Sequence, residues 1–188
     1  MDWNTFLSEY SKELQSKTRY LDWAKVPQSA RDANWFGFEP ATESLIRETE
    51  ERLRITLPID LTTFYLVTNG WMFCSTMVYD IRPVQCLDYL PASDPELYSL
   101  CDGLISPSAT DPDLLNARYF DEVKVLRSIS LNTSGDDARL LFDPDTTIPV
   151  EELRYGTWTS WHPGMRWTAR SFEDFFRQQR NLLLSSDG

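Results

Sequence analysis

The side chains able to do chemistry are few. His162 is the only histidine. It sits in a Trp-His-Pro-Gly segment that reads as a turn, so a Ser-His-Asp or Cys-His system would have to be built around that one imidazole. A general base needs a positioned partner, and no Ser or Cys lies in a nucleophile motif. GxSxG, HExxH, the P-loop and GxGxxG are all absent from the chain, and only seven glycines are available to cradle phosphates. The carboxylate pairs Asp136-Asp137 and Glu151-Glu152 fail for a geometric reason. Neighbours in an extended segment point to opposite faces, so neither pair makes an acid/base or metal dyad, and surface solvation explains them. Cys74, Cys86 and Cys101 are an odd number without CxxC spacing. That fits buried thiols in a reducing compartment rather than a disulfide framework. The residues therefore predict no enzyme, no metal site and no cofactor.

What the chain does carry is negative charge. Its 188 residues have a formal net charge of −11. Residues 1–90 hold 13 acids and 9 bases, 91–152 hold 13 acids and 4 bases, and 153–188 hold 3 acids and 5 bases. The middle third, at −9, would repel a phosphate backbone and steer a basic protein toward itself. Direct nucleic-acid binding is thus disfavoured, although an acidic balance also serves plain solubility.

The elements that must position these groups follow from periodicity and punctuation. With 41% hydrophobic and 13% aromatic residues, the chain can bury about 70% of its extended surface as one domain. No apolar run approaches the roughly 20 residues of a membrane span, and residues 1–20 lack a secretory pattern, so the expected compartment is the cytoplasm. Trp3, Phe6, Leu7, Tyr10 and Leu14 form a helical stripe. Tyr20 to Asn34 reads as a polar connector. Thr42 caps a helix carrying Leu45, Ile46, Thr49 and Leu53, which Pro58 ends, and a second helix carries Leu61, Phe64, Tyr65 and Thr68 up to a left-handed Asn69-Gly70 stop.

Beyond that stop, one or two strands are expected between Trp71 and Leu90, broken at Pro83. Asp94-Pro95-Glu96 and Asp111-Pro112-Asp113 each look like an N-cap with proline at the first helical position, predicting two short helices. Val123, Val125, Ile129 and Leu131 suggest a strand, and Ser134 to Asp137 a turn into a strand over Ala138 to Phe142. A hairpin is expected across His162-Pro163-Gly164. The last helix should start at Ser171, bury Phe172, Phe175 and Phe176, and place Arg177 and Arg180 near its end. The sum is a single α+β domain with a five- to six-stranded antiparallel or mixed sheet and helices packed on it.

Aromatic residues are the other candidates for recognition. Trp35, Phe36, Phe38, Trp71, Trp158, Trp161 and Trp167 could anchor a partner, though most should be core. Trp158 and Trp161 fall on opposite faces of a regular strand, so one of them is the better anchor.

Four motifs in order carry a resemblance. They are Trp35-Phe36-Gly37-Phe38 before a Glu-rich helix, Leu57-Pro58-Ile59-Asp60-Leu61 with Phe64-Tyr65 and Asn69-Gly70-Trp71, Leu140-Leu141-Phe142-Asp143-Pro144, and Trp158 to Gly164 followed by Ser171 to Phe176. Together they resemble the SUKH superfamily of bacterial immunity proteins and fungal cell-wall synthesis regulators. The likeness covers roughly residues 35–180, after an N-terminal helix and connector over 1–34. Arg54 stands where a Gly is common, Trp71 where a second Gly is frequent, and Pro91 to Phe120 follows no recognised pattern.

The resemblance implies an immunity protein, monomeric or weakly dimeric, that covers the active site or substrate surface of a cognate intracellular-acting toxin. A nuclease is the first class implied, with a deaminase or an ADP-ribosyltransferase as others. Its toxin-binding surface is expected on Asp94, Glu96, Asp102, Asp111, Asp113, Asp136, Asp137, Asp143, Asp145, Glu151 and Glu152, with Trp158 and Trp161 as aromatic anchors. The alternatives are a regulatory scaffold of the fungal type, or a small-molecule-binding domain or hydrolase around His162.

Overall fold

A computed structural model describes residues 1–105, 122–133, 138–147, 149, 151–159 and 164–185. The expected strands at Asp143's flank and the hairpin arms are among them. The second Asp-Pro-Asp cap, the Ser134 to Asp137 turn and the His162 turn lie outside the described residues.

Helix α1 (Trp3–Leu14) forms as its stripe predicts, with all five stripe residues buried and the Asp2 carboxylate accepting the Asn4 amide at 3.0 Å. The supposed connector is a correction. It contains two six-residue helices, α2 (Thr18–Trp23) and α3 (Gln28–Ala33). Each buries one side chain, Leu21 or Ala30, too short a pattern for periodicity to reveal.

Helix α4 (Glu43–Leu53) starts at the expected Thr42 cap, whose Oγ1 accepts the Leu45 amide at 3.2 Å. Its end differs from expectation. Arg54, at φ 56°, closes the helix in the left-handed region four residues before Pro58. Glu50 then accepts the Leu57 amide at 2.7 Å and turns the chain into α5 (Ile59–Val67). The stop of α5 also differs. Thr68 is extended, at φ −152°, and only Gly70, at φ 110°, is left-handed, so the glycine serves the turn beyond the helix. A Cβ on Gly70 would lie 2.7 Å from the Ile81 carbonyl oxygen. Thr68 Oγ1 fixes the turn by donating to the Gly70 carbonyl at 2.7 Å and accepting the Phe38 amide at 2.8 Å. Gly37 and Ile81 each pair with Trp71 in an isolated bridge, so the aromatic-glycine segment is structural.

The strands expected between Trp71 and Leu90 shrink to those bridges, a 3₁₀ turn at Val84–Cys86, and β1 (Asp88–Tyr89). Pro83 offers no amide, and Asn69 Oδ1 and Ser75 Oγ take the Val84 and Val78 amides, which removes ladder donors. Helices α6 (Leu90–Ser93) and α7 (Pro95–Ile105) follow. Asp94 caps α7 as predicted, accepting the Leu97 amide at 3.0 Å. The strand expected from Val123 is instead helix α8 (Glu122–Leu126), followed by β2 (Ile129–Ser130). Burial of Val125 against the α6 and α7 side outweighs the β-branched preference there.

Strands β3 (Ala138–Phe142), β4 (Tyr155–Thr159) and β5 (Gly164–Ala169) complete a five-stranded antiparallel sheet in sequential order. The closing helix α9 (Phe172–Ser185) begins at Ser171, whose Oγ accepts the Asp174 amide at 3.0 Å. It runs past the expected end, so Arg177 and Arg180 lie mid-helix. There they pair with Glu173 at 3.0 Å and with Glu13 instead of meeting the helix dipole.

Two cores flank the sheet. Leu140, Phe142 and Tyr155 belong to the larger one, with α1, α4, α5 and α9. Leu141 and Trp158 belong to a smaller one under α6, α7 and α8.

Candidate partner-binding surface

The expected binding residues divide by burial. Asp143 is fully buried at the end of β3, where Arg127 Nε and Nη2 donate to its two carboxylate oxygens at 2.8 and 2.7 Å. Arg127 also reaches Asp145 at 2.6 Å. The Thr147 hydroxyl and amide donate to Asp145 at 2.7 and 2.8 Å, and these bonds, aided by Arg127, hold its carboxyl below the usual carboxylate range. Asp94 caps α7 with one oxygen and accepts Arg139 Nε with the other at 2.7 Å. Glu152 meets Lys124 at 3.1 Å. These four carboxylates tie the middle of the chain together, and Asp143 is withdrawn from any partner.

Trp158 is likewise corrected. It is 7% exposed and packs with Leu90, Leu97, Cys101, Val125 and Leu141, so it is core and no anchor. Its position on β4 opposite Arg139 turns it toward the helices above the sheet. Glu96, Asp102, Glu151 and Glu152 are exposed. Asp111, Asp113, Asp136, Asp137 and Trp161, like His162, lie outside the described residues. Among the described residues of the expected set, the structure therefore brings Asp94, Asp143, Asp145 and Glu152 into ion pairs and leaves Glu96, Asp102 and Glu151 as accessible acids.

Other exposed groups escaped the sequence reading. Trp23 on α2 is 56% exposed, with the Arg19 guanidinium 4.8 Å from its ring centre. Phe38, already a candidate anchor from the sequence, is exposed as well, as are Ile59 and Leu66. The signal for the last two was present: in α5, apolar residues stand on more than one face, and a short surface helix cannot bury all of them.

An open cleft of ≈ 720 Å³ lies between the end of α4 and the Pro144 to Thr146 turn. Arg47, Arg54 and Arg127 line it together with Glu50, Glu51 and Asp145. Its charges offset one another, and Glu50 and Asp145 are already engaged with the Leu57 amide and Arg127. Tyr89 on its wall donates to the Leu53 carbonyl at 3.0 Å. Among the described residues, no group of three or more His, Cys, Asp or Glu side chains is arranged to hold a metal ion, and no helix is long and apolar enough to cross a membrane.

The cysteines divide as well. Cys74 and Cys101 are buried and Cys86 is exposed, all as free thiols. Burial, with a smaller push from Asp94, raises the Cys101 thiol to about 11.

Among curated proteins nothing matches the chain. A family model does, over residues 40–178, from the proline before α4 to the middle of α9, and its span takes in the capped α4–α5 pair, the whole sheet and the start of the closing helix. On that match the chain belongs to the SMI1 / KNR4 family (SUKH-1).

Proposed function

We propose that the chain is an immunity-type binding protein that neutralises a cognate toxin domain by covering its active site or substrate surface, and that it catalyses no reaction itself. Family membership carries this reading, and it agrees with the net charge of −11. A nuclease is the toxin class whose basic, phosphate-binding cleft best complements such a chain. Glu96, Asp102 and Glu151 supply accessible charge for steering, while Arg127 and Arg139 neutralise acids nearer the sheet.

The test is co-expression with the toxin domain encoded beside the chain's gene. Rescue of growth, together with inhibition of the purified toxin at equimolar chain, is the expected result. His162→Ala should protect within a few-fold of wild type, because no chemistry is assigned to it. Binding without inhibition would favour the regulatory-scaffold reading of the same family, and absence of binding would refute both. Charge reversal at Glu96 and Glu151 should slow association and weaken its salt dependence, as rim charges do.

A further inference from the structure

Strand alternation gives the β4–β5 pair two unlike faces. Trp158 turns toward the smaller core, so its chain neighbours Thr157 and Thr159 turn the other way, toward α9. Arg166 stands opposite Thr157 in the register, and Thr168, two residues on, shares its face. With Met77, and with Gln178, Gln179 and Leu182 of α9, these side chains line a half-enclosed cavity of ≈ 190 Å³.

Gln179 is 6% exposed, and the two ends of its amide are not used alike. Ser75 Oγ accepts the Met77 and Val78 amides at 3.2 and 3.1 Å and donates its own proton to Gln179 Oε1 at 2.8 Å. An oxygen that already accepts twice has no lone pair left for another N–H, which fixes the amide with Oε1 toward Ser75. Nε2 is thereby left without a partner among the described residues, in a side chain that lines the cavity. A buried donor left unpaired is costly, so an acceptor that reaches it is favoured.

Arg166 adds charge to the same space. It is the one charged side chain among the described lining residues, it is exposed, and its guanidinium makes no hydrogen bond or ion pair among the described residues. Met77 and Leu182 supply apolar wall. From this geometry we infer that the cavity between α9 and the β4–β5 pair binds a carboxylate carried on a short apolar stem. Arg166 and Gln179 Nε2 donate to the carboxylate oxygens, and the stem lies against Met77 and Leu182. One uncompensated cation matches a monoanion, and the guanidinium fork suits two carboxylate oxygens. Size limits the stem. A cavity of about 150 Å³ admits benzene, so this one has room for about six to eight heavy atoms. A free short-chain acid and a glutamate side chain both have that form.

The test is an NMR titration of the isotope-labelled full chain with hexanoate, followed at the Gln179 side-chain amide and the backbone amides of β4 and β5. Hexanol and hexylamine at matched ionic strength are the controls. Saturable shifts with hexanoate are expected, with both controls weaker by about fivefold or more. Arg166→Gln removes a guanidinium that holds nothing else among the described residues, so its thermal melt should be unchanged while hexanoate binds about fivefold more weakly or worse. Gln179→Glu keeps an oxygen for Ser75 but replaces the free donor with a second carboxylate oxygen, and should abolish binding. No saturable shift, equal binding of hexanol, or equal binding by Arg166→Gln overturns the inference. A glutamate blocked at both ends of its backbone separates the two sources of the carboxylate. Binding that matches hexanoate's supports a protein side chain as the occupant, and its exclusion beside bound hexanoate supports a free acid. None of these outcomes depends on the toxin, so failure here leaves the toxin-neutralisation test standing.

Discussion

The two sides of the sheet are built on different physics. On one, Trp3, Phe64, Phe172 and Phe176 interlock, with ring centres of Trp3 and Phe64 at 5.1 Å and of Phe64 and Phe172 at 5.0 Å. Trp71 and Tyr155 extend this cluster toward the Gly70 turn and the sheet, with ring centres 6.3 Å from Phe176 and 5.8 Å from Phe172. On the other, six buried residues among those described form the core, and ion pairs tie down the α6, α7 and α8 layer. Among the described residues, the indole N–H groups of Trp158 and Trp167 find no hydrogen-bond partner there. The first side gains stability from apolar area, whereas the second depends more on pairing charges that would be costly if left alone. The comparison teaches that the acids of the middle segment are in part structural cement, so net charge there overstates what a partner meets.

The largest effects should separate the two cores. Phe176→Ala should cost about 3–5 kcal/mol in urea unfolding, and Leu97→Ala, in the smaller cluster, about 2 kcal/mol. Equal losses would break the distinction. Next, Arg127→Met strands the buried Asp143 carboxylate and should cost about 2 kcal/mol, discounted because the guanidinium is part exposed. A loss below that of an ordinary surface pair would show that the second layer does not rest on this pair.

Smaller and opposite in sign is Arg54→Gly. It relieves a left-handed non-glycine residue and should stabilise the chain by about 0.5–1 kcal/mol, read as a rise in the denaturation midpoint. The subtlest test is kinetic. Alkylation at pH 8 should proceed in the order Cys86, Cys101, Cys74. Cys86 is exposed, Cys101 sits in the thin layer with its thiol at about 11, and Cys74 is raised further by burial in the thick core. Since the thiolate reacts, the Cys101 rate should climb as pH rises toward that value. Cys74 reacting before Cys101 would reverse the assignment of the weaker side.

Local signals were legible where a cap, a proline and a long stripe agreed. The stripe from Trp3 to Leu14 is a matter of neighbours in the chain, and so are the caps Thr42 before α4, Asp94 before α7 and Ser171 before α9, where side-chain oxygens meet orphan helix amides. The same locality hid α2 and α3, whose single buried residues leave no period to read. It also misread Val123 to Leu131, where packing chose a helix and a two-residue strand.

By itself, then, the sequence determined the family, the α+β class and the absence of any familiar catalytic motif, because ordered motifs and apolar periods are properties of the chain. Only the tertiary structure decided which carboxylates are free. Asp143 and Glu151 are eight residues apart in an acidic segment, but one is enclosed beneath Arg127 and the other is exposed. That choice depends on a base and a surface brought from elsewhere in the fold. The same holds for α5, where Phe64 and Leu66 are equally apolar in sequence. Packing against α1 and α9 covers the first, and nothing among the described residues fully covers the second, because the core has one inside and the helix has two sides.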